Sequence, residues 1–182
     1  MIDPVTSRRW SLRALFVALA CLMIFLRILP LSTVPARLPG PDLVLCLALA
    51  WVVRRPDVVS APLIVAVFLF EDMLTLRPPG LWTLLVLLGT EFLRDRASAL
   101  RRLPFLVDWA MVAAVVLLIT LASRLVLGLA MVPQTNLWMT VAQMVATILA
   151  YPPVVGATHL AARLLPGPTE GDGTARGLGR TA

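Results

Sequence analysis

The stretch PDLVLCLALAWVVRRPD, residues 41–57, holds an unbroken apolar run between Pro41-Asp42 and Arg54-Arg55. Proline and an acid suit the first turn of a helix, and cations suit the last turn, where the helix dipole is negative. The stretch therefore predicts an apolar helix over about 42–53. At 1.5 Å per residue such a helix is about 20 Å long, short of the ~30 Å hydrocarbon core of a membrane.

The whole chain shares this apolar character. Of its 182 residues, 59% are apolar and 14% are charged, and the mean hydropathy is +0.90. A soluble domain holds roughly 45–50% apolar and about 25% charged residues. The excess apolar surface must face lipid. The composition thus predicts an all-α integral membrane protein, placed in the inner (cytoplasmic) membrane of a bacterium.

Apolar runs separated by proline, glycine and arginine predict a single six-span domain over residues 1–165. The two short segments either extend through flanking residues, such as 39–42 and 94–97, or stay short and pack inside the bundle. Arg94 to Arg102 is predicted to be a charged loop, and Pro152-Pro153 an interruption of the last segment. A tail over 166–182, rich in glycine, threonine and proline, is predicted to be disordered and cytoplasmic. The six segments lie at about 12–31, 42–53, 58–76, 81–93, 105–127 and 137–165.

The cations predict the orientation. All 16 are arginines. With both termini in the cytoplasm, 12 of them fall on the inner side and only Arg37 and Arg77 fall on the outer side, while Arg27 and Arg124 lie within helices. This asymmetry is a positive-inside signal. Because the arginines form small groups rather than one patch, the net charge of +6 does not indicate nucleic-acid binding.

Signatures of an enzyme are missing from the sequence. His159 is the single histidine, Cys21 and Cys46 lie in separate apolar runs, and no HExxH, GxSxG or Walker A motif occurs. We therefore predict a non-enzymatic protein without a metal or a cofactor.

Among the charged residues inside the apolar runs, the candidates for a site are Arg27, Glu71, Asp72, Glu91 and Arg124. Each costs at least ~2.5–3.5 kcal/mol at a helix centre, so each needs a reason. For the two arginines a structural ion pair or snorkelling to the interface is favoured over a functional site. For Glu71 and Asp72 both interpretations stay open. Glu91 lies one turn from the inner arginines, so snorkelling accounts for it best.

An ordered set of motifs covers roughly residues 41–93. It comprises Pro41-Asp42-Leu43, the turn Arg54-Arg55-Pro56-Asp57, the helix segment FLFEDML at 68–74, and Pro78-Pro79-Gly80-Leu81. This set resembles the rod shape-determining MreD family, which carries a proline-led second segment, an Arg-Arg-Pro-acid turn, a Gly-Leu-x-x-Asp helix and a Pro-Leu-Gly turn in this order. The chain has Phe68 where the family usually has glycine, Pro79 where it usually has leucine, and Glu71 as an additional acid.

The resemblance implies a non-enzymatic scaffold of the cell-elongation machinery that supports lateral peptidoglycan synthesis. Its main partner would be the bitopic periplasmic protein MreC, with MreB, RodA and the elongation transpeptidase nearby and membrane lipid around it. It also implies a six-helix transmembrane bundle similar to the substrate-binding subunits of energy-coupling-factor transporters. The candidate partner-binding or structural residues are Arg54, Arg55, Pro56, Glu71, Asp72, Arg77, Pro78 and Gly80.

An alternative is a small-molecule-binding membrane subunit of an energy-coupling-factor type vitamin transporter. The six-span size, the short helices and the buried acids favour it, but the outer loops contain little that would grip a polar vitamin. A scaffold with an outward cavity that holds a lipid or a partner helix also stays open.

Overall fold

Over the residues that the structure describes, the chain forms six α-helices and no strand. The structure is a computed structural model that describes residues 4–29, 40–75, 78–132, 134 and 136–164. Side chains are described for the residues of these ranges that lie between positions 9 and 160. The predicted all-α class is confirmed. The predicted ends of the first, third and last segments, Arg77, and the 166–182 tail lie outside the described residues. The helices are α1 Pro4–Ile28, α2 Leu43–Arg54, α3 Ala61–Leu74, α4 Leu81–Leu100, α5 Phe105–Leu129 and α6 Leu137–Leu164.

Helix α2 is the centre of the bundle. Every residue from Val44 to Val53 is buried, and α2 contacts α1, α4 and α6. No charged side chain interrupts this run, so every face of the helix can pack against a neighbour. Its 12 residues correspond to about 18 Å at the α-helical rise. Of the two alternatives for this segment, the structure has the short helix packed inside the bundle.

The exterior of the bundle is largely apolar. Large side chains such as Leu88, Leu118 and Leu149 are more than half exposed. Soluble proteins rarely expose continuous apolar surface, whereas a surface that faces lipid requires it. Among the described residues, three stretches are long and apolar enough to cross a membrane: Arg9–Ile28, Phe105–Leu129 and Leu137–Leu160. The chain therefore has the exterior and the helices of a membrane protein.

The predicted charged loop after residue 93 is wrong, because α4 continues to Leu100. Leu93, Ala97 and Leu100 form a buried stripe at helical spacing. The charges between them lie away from the core, and Arg94 pairs with Glu91 one turn earlier at 2.7 Å. The short fourth segment, predicted over 81–93, thus extends through its flanking residues. This is the first of the two alternatives given above for the short segments.

The turn before α3 explains why this helix begins at Ala61 rather than at about residue 58. Val58 and Val59 are buried in the turn. Their carbonyl oxygens accept hydrogen bonds from Arg13 Nε (3.1 Å) and Arg94 Nη2 (2.6 Å), respectively. Arginines from α1 and α4 therefore hold the turn in place.

Helix α6 is continuous through Pro152 and Pro153, so the predicted interruption is also wrong. Proline has no N–H, so Pro152 leaves the carbonyl of Ile148, four residues earlier, without its helical donor. The indole Nε1 of Trp109 donates to that carbonyl at 2.9 Å. A side chain of α5 thus replaces the missing backbone hydrogen bond.

We predict that Trp109→Phe lowers the free energy of unfolding by about 1–3 kcal/mol, the cost of a buried acceptor left without a donor. Unfolding of the purified chain in mixed detergent micelles measures this difference. Trp138→Phe is the matched control, because Trp138 lies at the beginning of α6 and is 67% exposed. Equal stability of the Trp109 variant and the wild type would contradict the prediction.

Candidate functional site

Polar side chains near the helix termini contact one another at both ends of the bundle. At the end named here the Asp42 end, the C-termini of α1 and α3 meet the N-termini of α2 and α4. At the Arg54 end, the C-terminal part of α2 meets the beginning of α5 and the C-terminal part of α6. Each end holds a separate cluster of charged and polar side chains.

At the Asp42 end, one arginine serves two carboxylates. Arg27 of α1 forms an ion pair with Glu71 of α3, and its Nη1 lies 3.6 Å from Oδ2 of Asp42. Glu71 is fully buried. A buried carboxylate requires a paired cation, so the structure favours the ion-pair interpretation of Arg27. The backbone N–H of Asp42 also donates to Thr147 Oγ1 at 2.9 Å, which joins α6 to the cluster.

Asp72 accepts hydrogen bonds at the beginning of α4, whereas its neighbour Glu71 pairs with Arg27. Asp72 is fully buried, and its Oδ2 accepts hydrogen bonds from Gly80 N (3.1 Å), Thr83 N (3.4 Å) and Thr83 Oγ1 (2.8 Å). These donors belong to the first turn of α4. Asp72 therefore caps α4 from the preceding helix, at the positive end of the α4 dipole.

Gly80 makes this cap possible. Its φ is +93°, in the left-handed region, and no side-chain cap of its own serves α4. Glycine adopts such a conformation without the steric cost that other residues incur. Pro78 lies two residues before Gly80 and lines the neighbouring cavity, whereas Asp72 and Gly80 are joined directly by a hydrogen bond.

We predict that Gly80→Ala lowers the free energy of unfolding by about 1–2 kcal/mol through backbone strain alone. No atom lies within 4 Å of the added Cβ, so a steric clash does not contribute. Gly156→Ala is the control, because Gly156 is a helical glycine whose added Cβ also meets nothing within 4 Å. The control should be neutral or stabilising, and a similar loss in both variants would refute the role of φ.

The Arg54 end is built around a buried carboxylate, Asp108. Arg54 Nη2 lies 3.2 Å from Asp108 Oδ2, and Arg54 Nη1 lies 2.8 Å from His159 Nε2. The hydroxyl of Tyr151 donates to Asp108 at 3.3–3.4 Å. Arg54 thus links α2 to α5 and α6 at once.

Two members of this cluster, Asp108 and Tyr151, were not predicted from the sequence. Asp108 lies in the first turn of α5, where an acid at the positive helix end is unremarkable. Tyr151 is the single tyrosine of the chain. The position of Asp108 within an apolar run could have indicated a buried acid. No feature of the sequence indicated that Tyr151 would be buried.

Arg55 and Pro56 form the turn after α2. The backbone N–H of Arg55 donates to the carbonyl of Trp51 (2.7 Å), and its own carbonyl accepts from Val58 N (3.0 Å). The candidate residues therefore divide into two groups at opposite ends of the bundle and do not form one surface. Arg54, Arg55 and Pro56 lie at the Arg54 end, Glu71, Asp72, Pro78 and Gly80 lie at the Asp42 end, and Arg77 is outside the described residues.

A cavity of about 250 Å³ lies at the Asp42 end, between α2, α4, α5 and α6. Its walls combine apolar side chains with hydroxyl, amide and charged groups, so it suits a small polar group rather than a wholly apolar one. Over the described part of the chain, no three His, Cys, Asp or Glu side chains come together as metal ligands. The polar lining includes Asp42, Thr120, Arg124, Gln143 and Thr147.

We predict that Arg54→Met lowers the free energy of unfolding by about 3–5 kcal/mol, because it leaves Asp108 buried and unpaired. Adding Asp108→Asn should recover part of that loss, since the amide carries no charge. Arg102→Met removes an exposed cation and should have little effect. Additive losses in the double variant, measured by unfolding in mixed micelles, would show that the two groups are independent.

Comparison with known proteins returned no match to a protein-family model, a curated protein or a solved structure.

Proposed function

We propose that this chain is a non-enzymatic membrane scaffold of the MreD kind. It would lie in a bacterial inner membrane, bind MreC and support lateral peptidoglycan synthesis beside MreB, RodA and the elongation transpeptidase. The observation that carries the proposal is the ordered motif set over roughly residues 41–93.

The proposed topology has six spans and both termini in the cytoplasm. The Arg54 end then faces the cytoplasm, and the exposed cations Arg96, Arg101 and Arg102 lie at that end, as the positive-inside rule requires. Helices α2 and α3 are shorter than a membrane is thick. Protein covers the polar groups at their ends, which makes short helices acceptable at membrane depth.

The motif residues support a scaffold because their contacts are directed inward, at the ends of helices. Asp42 caps α2, with its Oδ1 accepting from Leu45 N at 3.1 Å. Arg54 joins three helices, and Asp72 with Gly80 fixes the start of α4. Such contacts fix the positions of the helices and therefore the shape of the surface. A binding scaffold needs a surface of fixed shape rather than reactive groups.

Co-expression with tagged MreC from the same organism tests the proposal. We expect the chain to copurify with MreC but not with an unrelated bitopic membrane protein, and its depletion to convert rods into rounded cells. Failure of copurification together with intact rod shape would refute the proposal.

Two variants separate folding from binding in the same experiment. Asp72→Ala removes the acceptor of three hydrogen bonds at α4, so we expect the protein level and MreC binding to fall together. Asp95→Ala alters an exposed acid of α4 and should leave both unchanged. A normal level of the Asp72 variant with lost binding would instead place Asp72 in the contact surface.

The second candidate is a vitamin-transporter subunit, and the cavity at the Asp42 end favours it. Its volume of about 250 Å³ falls below the roughly 300–1,000 Å³ of pockets that enclose drug-sized ligands. We therefore rank it second. A vitamin retained through purification, or saturable uptake that needs an ATPase partner, would reverse this order.

A further inference from the structure

An apolar groove of about 220 Å³ lies between α4 and α5 on the outside of the bundle. Leu85, Leu88 and Phe92 line it on the side of α4, and apolar residues within 115–122 line it on the side of α5. Residues three and four positions apart share one face of a helix. The groove therefore runs along the two helices.

Gly89 sets the depth of this groove. A Cβ at this position would lie 2.8 Å from Ile119 Cδ1 and 2.9 Å from Val115 Cγ1, so side chains of α5 already occupy the space beside the glycine. Leu88 of α4 and Leu118 of α5 also line the groove, and both are more than half exposed. The glycine thus leaves a channel between two projecting leucines.

An arginine lies at the end of the groove that is nearer the Arg54 end of the bundle. Arg96 follows Phe92 by one turn of α4, and its Cζ lies 3.9 Å from the centre of the Phe92 ring. Side chains of a helix lean toward its N-terminus, which here brings the guanidinium back toward the groove. Because Phe92 lines the groove and also contacts the cation, the two features are continuous.

Arg96 has no carboxylate partner among the residues that the structure describes. The ion pairs there involve Arg27, Arg54 and Arg94. Arg96 is exposed, and its Nη1 donates only to the carbonyl of Phe92, at 3.5 Å. A guanidinium binds phosphate oxygens well, and phosphate is the anion that the headgroup region of a membrane supplies. The exposed charge therefore favours a phosphate group at this end of the groove.

The dimensions of the groove favour an acyl chain over a partner helix. From Leu85 to Phe92 the rise along α4 is about 10 Å, roughly a third of the ~30 Å hydrocarbon core. A helix with its side chains is about 10–12 Å wide, so it would rest on Leu88 and Leu118 without filling the channel. An acyl chain is much narrower and can follow the channel within one leaflet.

We propose that the α4–α5 groove and Arg96 together bind one anionic phospholipid. An acyl chain lies in the groove, and Arg96 binds the phosphate of a headgroup that carries no ammonium, as in phosphatidylglycerol. The lipid belongs to the leaflet at the Arg54 end, where the exposed Arg101 and Arg102 also attract negative charge. This binding does not depend on a role in cell elongation.

Native mass spectrometry of the full purified chain tests the headgroup. The chain is delipidated and offered phosphatidylglycerol and phosphatidylcholine with the same acyl chains. We expect phosphatidylglycerol to be retained about fivefold better, the factor expected of one arginine beside an anionic headgroup. Equal retention of the two lipids would overturn the proposal. Free glycerol 3-phosphate should bind far more weakly than the lipid, and equal binding would contradict the role of the acyl chain.

Arg96→Gln tests the assigned cation. The preference for phosphatidylglycerol over phosphatidylcholine should fall close to one, because glutamine carries no charge. Arg9→Gln is the matched control, since Arg9 is an exposed arginine of α1, and it should keep the preference. An unchanged preference in the Arg96 variant, or an equal loss in both variants, would refute binding of the phosphate by Arg96.

Ala122→Phe tests the groove. Ala122 lines the groove and is half-buried, so a larger side chain there should weaken retention of both lipids severalfold without changing the headgroup preference. Leu121→Phe is the control, because Leu121 is the neighbouring residue of α5 and is 54% exposed, and it should leave retention unchanged. Full retention in the Ala122 variant would refute the groove as the binding place.

The same Ala122 variant distinguishes the other occupants of the groove. If it retained both lipids but lost a dimer mass in the native spectra, the groove would bind a second copy of the chain. If it retained both lipids but no longer copurified with MreC, the groove would bind a partner helix. Either result would overturn the lipid proposal.

Discussion

The structure depends on one constraint: α2 is buried on every side, and a charge stands at each of its ends. Such a helix gains from apolar packing along its length but leaves Asp42 and Arg54 within the protein, where unpaired charge is costly. The bundle satisfies both charges with partners from three other helices, α1, α5 and α6. Arg27, Thr147, Asp108 and His159 all contact the ends of α2.

This arrangement gives a physical meaning to the motifs in the middle of the chain. Their conspicuous residues are helix caps, turn residues and ion pairs, whose contacts are directed at other helices of the same chain. Under the proposed function they set the shape of a surface that a partner recognises. Asp42 also lines the cavity at its end of the bundle.

Local signals were sufficient for the helices and for both ends of α2, because apolar runs and terminal charges act within a few residues. They were insufficient where a distant side chain decides. The charged face after Leu93 is helical because its other face packs inward, and Pro152 leaves α6 continuous because Trp109 supplies the lost donor. Similarly, the sequence marked Arg54, but its partner Asp108 lies 54 positions later and only the fold brings them together.

Substitution of each residue from Val44 to Val53 by asparagine, with the free energy of unfolding measured for each variant, tests the central claim most directly. If α2 is enclosed on all sides, every position should be strongly destabilised, with no helical period in the losses. Tolerated positions recurring every three to four residues would mean that one face of α2 is open to lipid or to a partner, and would contradict this account.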